Sequence, residues 1–312
     1  MLYESYGHIH ILMDIPIEIH QLILSPADFL SQIRIRCACR LFYAKLEVTN
    51  FYDIEQKYLD RLSDDVLRAY PFVTKLNANH SSNITNLNNL PKLEILSDRK
   101  YRMRDHNICS NMNLTELDIG PNTKITDINY LTQLKKLNIG DNDESFYSHK
   151  KYGIEDKGIA NLNLTELNIS NNRYIKNISH MTSLTKLIAR GDCRIDKIPC
   201  NNLTELDISY NPNIMNINHL TKLEVLHADA TIFSSYPCDW TRVKLRGDSR
   251  ISDASISGLN LRILYANGNR KITNVNHMNK LEKIYTDTNY KILHDEIPNL
   301  ERVITKSKFC YA

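Results

Sequence analysis

The residues that could do chemistry are scattered along this chain. Seven cysteines (Cys37, Cys39, Cys109, Cys193, Cys200, Cys238 and Cys310) occur without a C-x-x-C pair or a zinc-spaced Cys/His cluster. An odd, dispersed set reads as reduced thiols of a cytosolic or nuclear chain, not as a disulfide framework or a metal centre. His8 and His10 lie two apart near the N-terminus, which is too little for a metal site. There is no G-x-S-x-G, no G-x-x-x-x-G-K-S/T and no H-E-x-x-H, and nine glycines in 312 residues leave little for a phosphate loop. Neither catalysis nor a cofactor is expected. With 39 basic and 36 acidic residues the net charge is +3, too balanced for a protein recruited to nucleic acid or a membrane surface by bulk charge. The basic and aromatic run at 98–106, DRKYRMRDH, is too short to reverse that conclusion. The chemistry left is recognition, and it needs a scaffold.

The scaffold is written in a repeat. From Leu114 the chain reads LTELDIGPNTKITDINYL, with apolar residues at Leu114, Leu117, Ile119, Ile125, Ile128 and Leu131 and with Asn122 between. The same string returns from Leu164, Leu203 and Leu261, with Asn172, Asn211 and Asn269 in the place of Asn122. Looser copies start at Val73, Leu93, Leu134, Leu184, Leu223, Trp240, Leu281 and Leu300. Nearly all steps are 19 to 21 residues, apart from one of 17 after Leu223 and one of 30 after Leu134. The long step marks an insertion at 143–153, DESFYSHKKYG, whose aromatic and basic residues are available to a partner. Such a period defines a leucine-rich repeat, and about twelve units are expected over residues 73–312.

Each unit changes period midway. L-x-x-L-x-I ends in an alternation that suits a short strand with one buried face. I-x-x-I-x-x-L has period 3, which suits a loose helical or 3₁₀ turn on the outer side. The Asn at the ninth position stands where the strand bends away, and its amide can satisfy backbone groups inside the bend. One unit cannot bury its own apolar face, so stability comes from stacking into a curved solenoid with a parallel sheet on its concave side.

Ahead of the repeats lies a helical segment, 13–50, after a leader at 1–12; Met13 is a second candidate start. The spacing predicts a first helix with Ile19, Leu22 and Ile23 on one face. It predicts a second helix opening at Ser25-Pro26-Ala27-Asp28 with Phe29, Leu30, Ile33 and Cys37 as its buried stripe, and a third over Arg40 to Asn50. Residues 55–70 read as one further helix that caps the first repeat, within a linking stretch at 51–72. No matching helix closes the C-terminal end, which predicts a last strand frayed or covered by a partner.

The helical segment resembles an F-box. Ile15-Pro16-x-Glu18-Ile19 is similar to the opening L-P-x-E-I, Asp28-Phe29-Leu30 to the central D-L-L, and Cys39-Arg40-Leu41-Phe42 to the closing C-K-R-F; the first loop is about two residues shorter than usual. The resemblance covers about 35 residues. It implies docking on the Skp adaptor of a Skp–cullin–F-box ubiquitin ligase, with Ile15, Pro16, Ile19, Leu22, Ile23, Leu30, Cys39 and Phe42 forming the module's core and docking face. Together with the repeats it resembles the F-box/leucine-rich-repeat proteins, and the Asn/Ile-rich style is similar to those encoded by large DNA viruses of amoebae.

Positions two, three, five and seven of each unit are expected on the concave face. Position three alternates in sign (Glu116, Lys136, Glu166, Lys186, Glu205), a self-neutralising ladder. The C-terminal half breaks the alternation with Arg190, His227, Asp229, Lys244, Arg246, Tyr265 and Tyr285, residue types that anchor interfaces. They are the expected substrate site. The reading is a substrate-recognition subunit of a cullin ligase, monomeric outside its complex, in the cytoplasm or nucleus (of a host cell, if viral). It is set against a plain protein-binding scaffold or inhibitor, and against a nucleic-acid-binding repeat protein. No run of 18 apolar residues is present to span a membrane, and the first residues lack the basic and apolar regions of a signal peptide.

Overall fold

The structure is a computed structural model. It describes residues 16–79, 81, 83–99, 103–108, 113–120, 122–140, 153–195, 197–230, 249–287, 292, 297 and 300–304, leaving aside the side chains of 56, 57 and 302–304. The chain forms two compact units, Met1–Ile119 and Gly120–Ala312.

The first unit opens with three short helices: α1 (Ile17–Leu24), α2 (Phe29–Arg36) and α3 (Arg40–Lys45). Leu24, Phe42 and Leu46 form their small core, with Ile17 and Cys39 against it. Three expectations need correction here. The N-cap of α2 is Asp28, whose carboxylate accepts from Ser31 N–H at 2.9 Å and from the Ser31 hydroxyl at 2.7 Å. Ser25 instead ends α1, its hydroxyl donating to the Gln21 carbonyl. The buried residue of α2 is Gln32, fully enclosed, while Phe29, Leu30 and Ile33 are half-buried and Cys37 is exposed. The third helix stops at Lys45, because residues 46–49 turn extended and enter a strand.

That strand, β1 (Asn50–Phe51), pairs in parallel with β2 (Lys75–Asn77), so Val48 falls opposite Val73 and both are completely buried. Residues 48–72 are therefore a first, degenerate turn of the solenoid. The single helix expected over 55–70 is two, α4 (Gln56–Leu59) and α5 (Asp64–Arg68), with Ser63 capping the second. From β2 the sheet continues through β3 (Ile95–Ser97) to β4 (Glu116–Asp118), with α6 (Asp105–Ile108) between.

The second unit carries β5 (Lys136–Asn138), β6 (Glu166–Asn168), β7 (Lys186–Ile188), β8 (Glu205–Asp207), β9 (Val225–His227), β10 (Ile263–Tyr265), β11 (Lys283–Thr286) and β12 (Glu301–Ile304). Each pairs in parallel with the next, so order in sequence is order in space. The expected leucine-rich-repeat solenoid is present. Its outer turns are mostly irregular, with a 3₁₀ turn at Asp156–Gly158 and α7 at Asp253–Ile256. Two details differ from expectation. β9 pairs directly with β10, so no strand starting at Trp240 stands between them; residues 231–248 lie outside the described residues. The last unit is set one residue early, since Lys283 faces Glu301.

The repeat's polar positions do what its spacing requires. Asn211 Oδ1 accepts from the N–H groups of Asn213 (2.8 Å) and Ile214 (3.3 Å), while its amide donates to Ala189 O at 2.7 Å in the preceding turn. Asn122, Asn172 and Asn269 accept from the following backbone in the same manner. Thr115, Thr165, Thr185 and Thr204 each donate a hydroxyl to a carbonyl of the turn before. His180, His219 and His277 donate from Nε2 to the carbonyls of Ile159, Ile198 and Ile256. Asp64, Asp156 and Asp253 accept N–H groups from the turn after. Inside, a turn such as Leu164, Leu167, Ile169, Ile175, Ile178 and Met181 is buried to 1% or less, each side chain worth roughly 1.5–3 kcal/mol of gross transfer energy.

Among the described residues no helix is long and apolar enough to cross a membrane, and no group of three or more His, Cys, Asp and Glu is placed to hold a metal ion.

Candidate partner-binding faces

Two surfaces draw together residues singled out by the sequence. The first is on the helical module. α1 buries His20 and Leu24, and the other side of the same helix leaves Ile19 43%, Leu22 69% and Ile23 61% exposed. Ile35, Leu41 and Tyr43 on α2 and α3 are exposed as well. Six of the ten exposed large apolar side chains among the described residues thus fall within 19–43, an unusual concentration for a segment this short. Pro16 is exposed at the N-terminus of α1. Phe42 is buried, and Cys39 packs against the small core, its Sγ accepting from Phe42 N–H. Leu30 is half-buried and Ile15 lies outside the described residues.

The inner side of this module is tied to the sheet by two glutamines. Gln21 Oε1 accepts from Glu47 N–H at 2.7 Å while its amide donates to Glu47 O at 3.1 Å. Gln32 Oε1 accepts from Thr49 N–H at 2.8 Å and Asn50 N–H at 3.1 Å. Its Nε2 lies 3.2–3.3 Å from the carbonyls of Leu24, Ser25 and Ala27 and from the Thr49 hydroxyl. Thus β1, the first strand among the described residues, has its edge groups answered by side chains.

The second surface is the open face of the sheet over β7 to β11. Here the fifth repeat position carries Asp207, His227, Tyr265 and Tyr285 on successive strands. The rings of His227 and Tyr265 stack with centroids 4.0 Å apart, and those of Tyr265 and Tyr285 at 4.2 Å, both within 7° of parallel. The 4.7–4.9 Å spacing of paired strands is what lets aromatic residues at one register position stack in this way. At the His227 end lies Asp207, buried, with His227 Nδ1 3.9 Å from its Oδ2. Arg190 reaches the same oxygen with Nε at 2.6 Å. Burial pushes the His227 imidazole below its usual value, against the pull of Asp207. Asp229, two residues past His227, accepts from Asn267 N–H at 2.7 Å and Asn267 Nδ2 at 3.1 Å, both through Oδ1. Burial raises its carboxyl to about 6, those hydrogen bonds only partly opposing it.

Half-buried Val225 and Ile263 occupy position three on the central strands, and ion pairs frame them. Lys186–Glu205 (2.8 Å) stands on one side and Lys283–Glu301 (2.9 Å) on the other, while Arg262 bridges Glu224 and Glu282. Lys136–Glu166, at 3.3 Å, belongs to the expected ladder. Of the sequence-predicted residues, Arg190, His227, Asp229, Tyr265 and Tyr285 come together; Lys244 and Arg246 lie outside the described residues, as does 143–152 of the insertion. Sequence reasoning missed Asp207, although it shares the position of His227 and Tyr265. It also missed Tyr210, a non-glycine residue held at φ 61° beside Arg190, a backbone region that Gly191 and Gly268 fill without strain.

Repeat spacing, strand order and the Asn positions together define a leucine-rich-repeat protein. No protein-family model and no curated protein sequence matches the chain. Among solved structures that match is the functional domain of InlJ from Listeria monocytogenes, at 19% identity and a TM-score of 0.38. That alignment covers 71% of this chain and 59% of that one, so the chain spans under two thirds of its length. Internalin C2 from the same species matches at 19% identity and a TM-score of 0.37, over 85% of this chain and 95% of that one. Likeness at this level bears on neither partner nor activity.

Proposed function

We propose that the chain is a substrate-recognition subunit of a Skp–cullin–F-box ubiquitin ligase of the cytoplasm or nucleus, similar in design to those of large DNA viruses of amoebae. In this reading α1 to α3 dock on the Skp adaptor, and the sheet face over β7 to β11 holds a protein substrate. The chain performs no chemistry itself; it supplies proximity. One observation carries the reading: Ile19, Leu22 and Ile23 stand exposed on the side of α1 that the module's own core does not use. Capping the sheet edge needs only the inner side, through Gln21 and Gln32. An apolar stripe on the outer side is stable in water only at a cost that a partner removes. The same glutamines favour a second reading, a protein-binding scaffold whose helices serve solely as a cap.

The test is a pull-down of purified Skp adaptors from amoebal and animal sources by the full chain and by a Leu22→Asp, Ile23→Asp variant. Capture by the wild type, lost in the variant while its circular dichroism is unchanged, establishes the ligase role. A wild type that captures no adaptor leaves the scaffold.

A further inference from the structure

We propose that the repeat face seats its protein partner through a cationic side chain, arginine or lysine, placed against the Asp229 carboxylate next to the His227, Tyr265 and Tyr285 stack. The inference rests on the reading of this face as the partner site and goes further by naming the chemistry it selects.

The geometry singles out Asp229. Its neighbours on the face are ion-paired: Asp207 with Arg190, Glu205 with Lys186, Glu224 and Glu282 with Arg262. Among the described residues Asp229 accepts side-chain hydrogen bonds from Asn267 alone, both on one oxygen, and forms no ion pair, though the Arg190 charge reaches it. A half-buried carboxylate so placed gains more from a cation than an exposed one does, because little water competes. Val225 and Ile263, half-buried on the other side of the rings from Asp229, add apolar surface for the rest of the partner segment. An acidic partner residue at the same place would meet Asp207 and Asp229 together and be repelled.

Protonation supports the assignment. Burial holds the Asp229 carboxyl at about 6, so a bound cation must expel the proton, and binding weakens as pH falls below that value. Asp207, Arg190 and Tyr265 act on Asp229 through their charge and Asn267 donates to it; His227 precedes it by two residues on the same strand, and Asp287 holds the same repeat position two strands along. Of these, His227 also gains positive charge in acid, which repels a cation in the same direction.

The experiment uses the full chain and four pools of acetylated, amidated octapeptides with the central residue fixed as Arg, Lys, Ala or Glu and neutral flanks. Retention is measured by fluorescence anisotropy at pH 7.5 and 5.5, for the wild type, Asp229→Asn and Tyr265→Leu. The expected result is Arg and Lys pools bound roughly tenfold or more above Ala and Glu, with the preference abolished by Asp229→Asn and all pools weakened by Tyr265→Leu. At pH 5.5 the wild-type preference shrinks, and Asp229→Asn shows no preference to lose. Equal binding of all four pools removes the cationic anchor while leaving the face as a partner site. Binding of none, a preference for Glu, or a preference unchanged in Asp229→Asn overturns the proposal. Skp capture reads the helices and is independent of every one of these outcomes.

Discussion

Replacing Gln32 by leucine should loosen the whole N-terminal edge of the sheet. The side chain is fully enclosed, and its Oε1 is the acceptor for two backbone N–H groups, those of Thr49 and Asn50, in residues that are themselves 6% and 2% exposed. Leucine is close in volume but accepts nothing, so both donors are stranded at about 1–3 kcal/mol each. The carbonyls of Leu24, Ser25 and Ala27 lose a shared donor as well, a smaller loss because carbonyls tolerate under-satisfaction better. Against this stands the more favourable burial of leucine, about 1–2 kcal/mol. The net expectation is roughly 2–4 kcal/mol of destabilisation. Urea unfolding followed by far-UV circular dichroism measures it, and hydrogen exchange at Thr49 and Asn50 locates it: those amides should exchange fastest relative to wild type. An open parallel edge also recruits other edges, so sedimentation should show concentration-dependent association absent from the wild type. A Gln32→Leu chain that unfolds within about 0.5 kcal/mol of wild type, with protected Thr49 and Asn50 amides, would refute the idea that this side chain closes the sheet.

Two further expectations follow from burial. Asp229 titrates at about 6 in the folded chain against 3.8 in its ordinary state. Folding therefore takes up a proton between those values, and ionisation works against the fold. Asp229→Asn should leave stability unchanged below about pH 4, gain as pH rises through 6, and reach a gain of up to roughly 3 kcal/mol above pH 7, read by calorimetry across pH; a gain confined to acid would contradict the assignment. Burial pushes the Cys193 thiol up to about 12 and the Cys200 thiol up to about 11, while Cys37 is exposed. Iodoacetamide at pH 8 should alkylate Cys37 well before the other two, as peptide mass spectrometry will show; equal rates would mean that the turn holding Cys193 opens freely.

What could be read from the sequence is what repeats in it. Leu117, Leu167, Leu206 and Leu264 are buried strand centres because identical spacing forces identical packing, and the ninth-position Asn follows from the bend it must satisfy. The first turn escaped notice because Val48 and Phe51 stand alone in an otherwise unpatterned stretch; only pairing with β2 makes them a repeat. Ser25 and Asp28 are both good caps by type, and the choice fell to the carboxylate that reaches two donors on Ser31 at once. Gln32 carried no signal in the sequence, since nothing local announces that a strand edge will need an acceptor. The residues of the β7 to β11 face were legible as departures from charge alternation. Their stacking was not, because ring contact depends on register between strands that lie up to 38 residues apart.

The side-chain ladders have a direction. Thr165, Asn211, His219 and their counterparts all donate to carbonyls that precede them by about one turn. A ribosome delivers the chain in that same order, so each of these donors emerges to find its acceptor already in place. Among the described strands β1 comes first, and its needs are met by Gln21 and Gln32, which are made earlier still. Each strand pairs only with its neighbours in sequence, so assembly can keep pace with synthesis without a distant C-terminal segment, which limits how long apolar faces stand bare in a crowded cell.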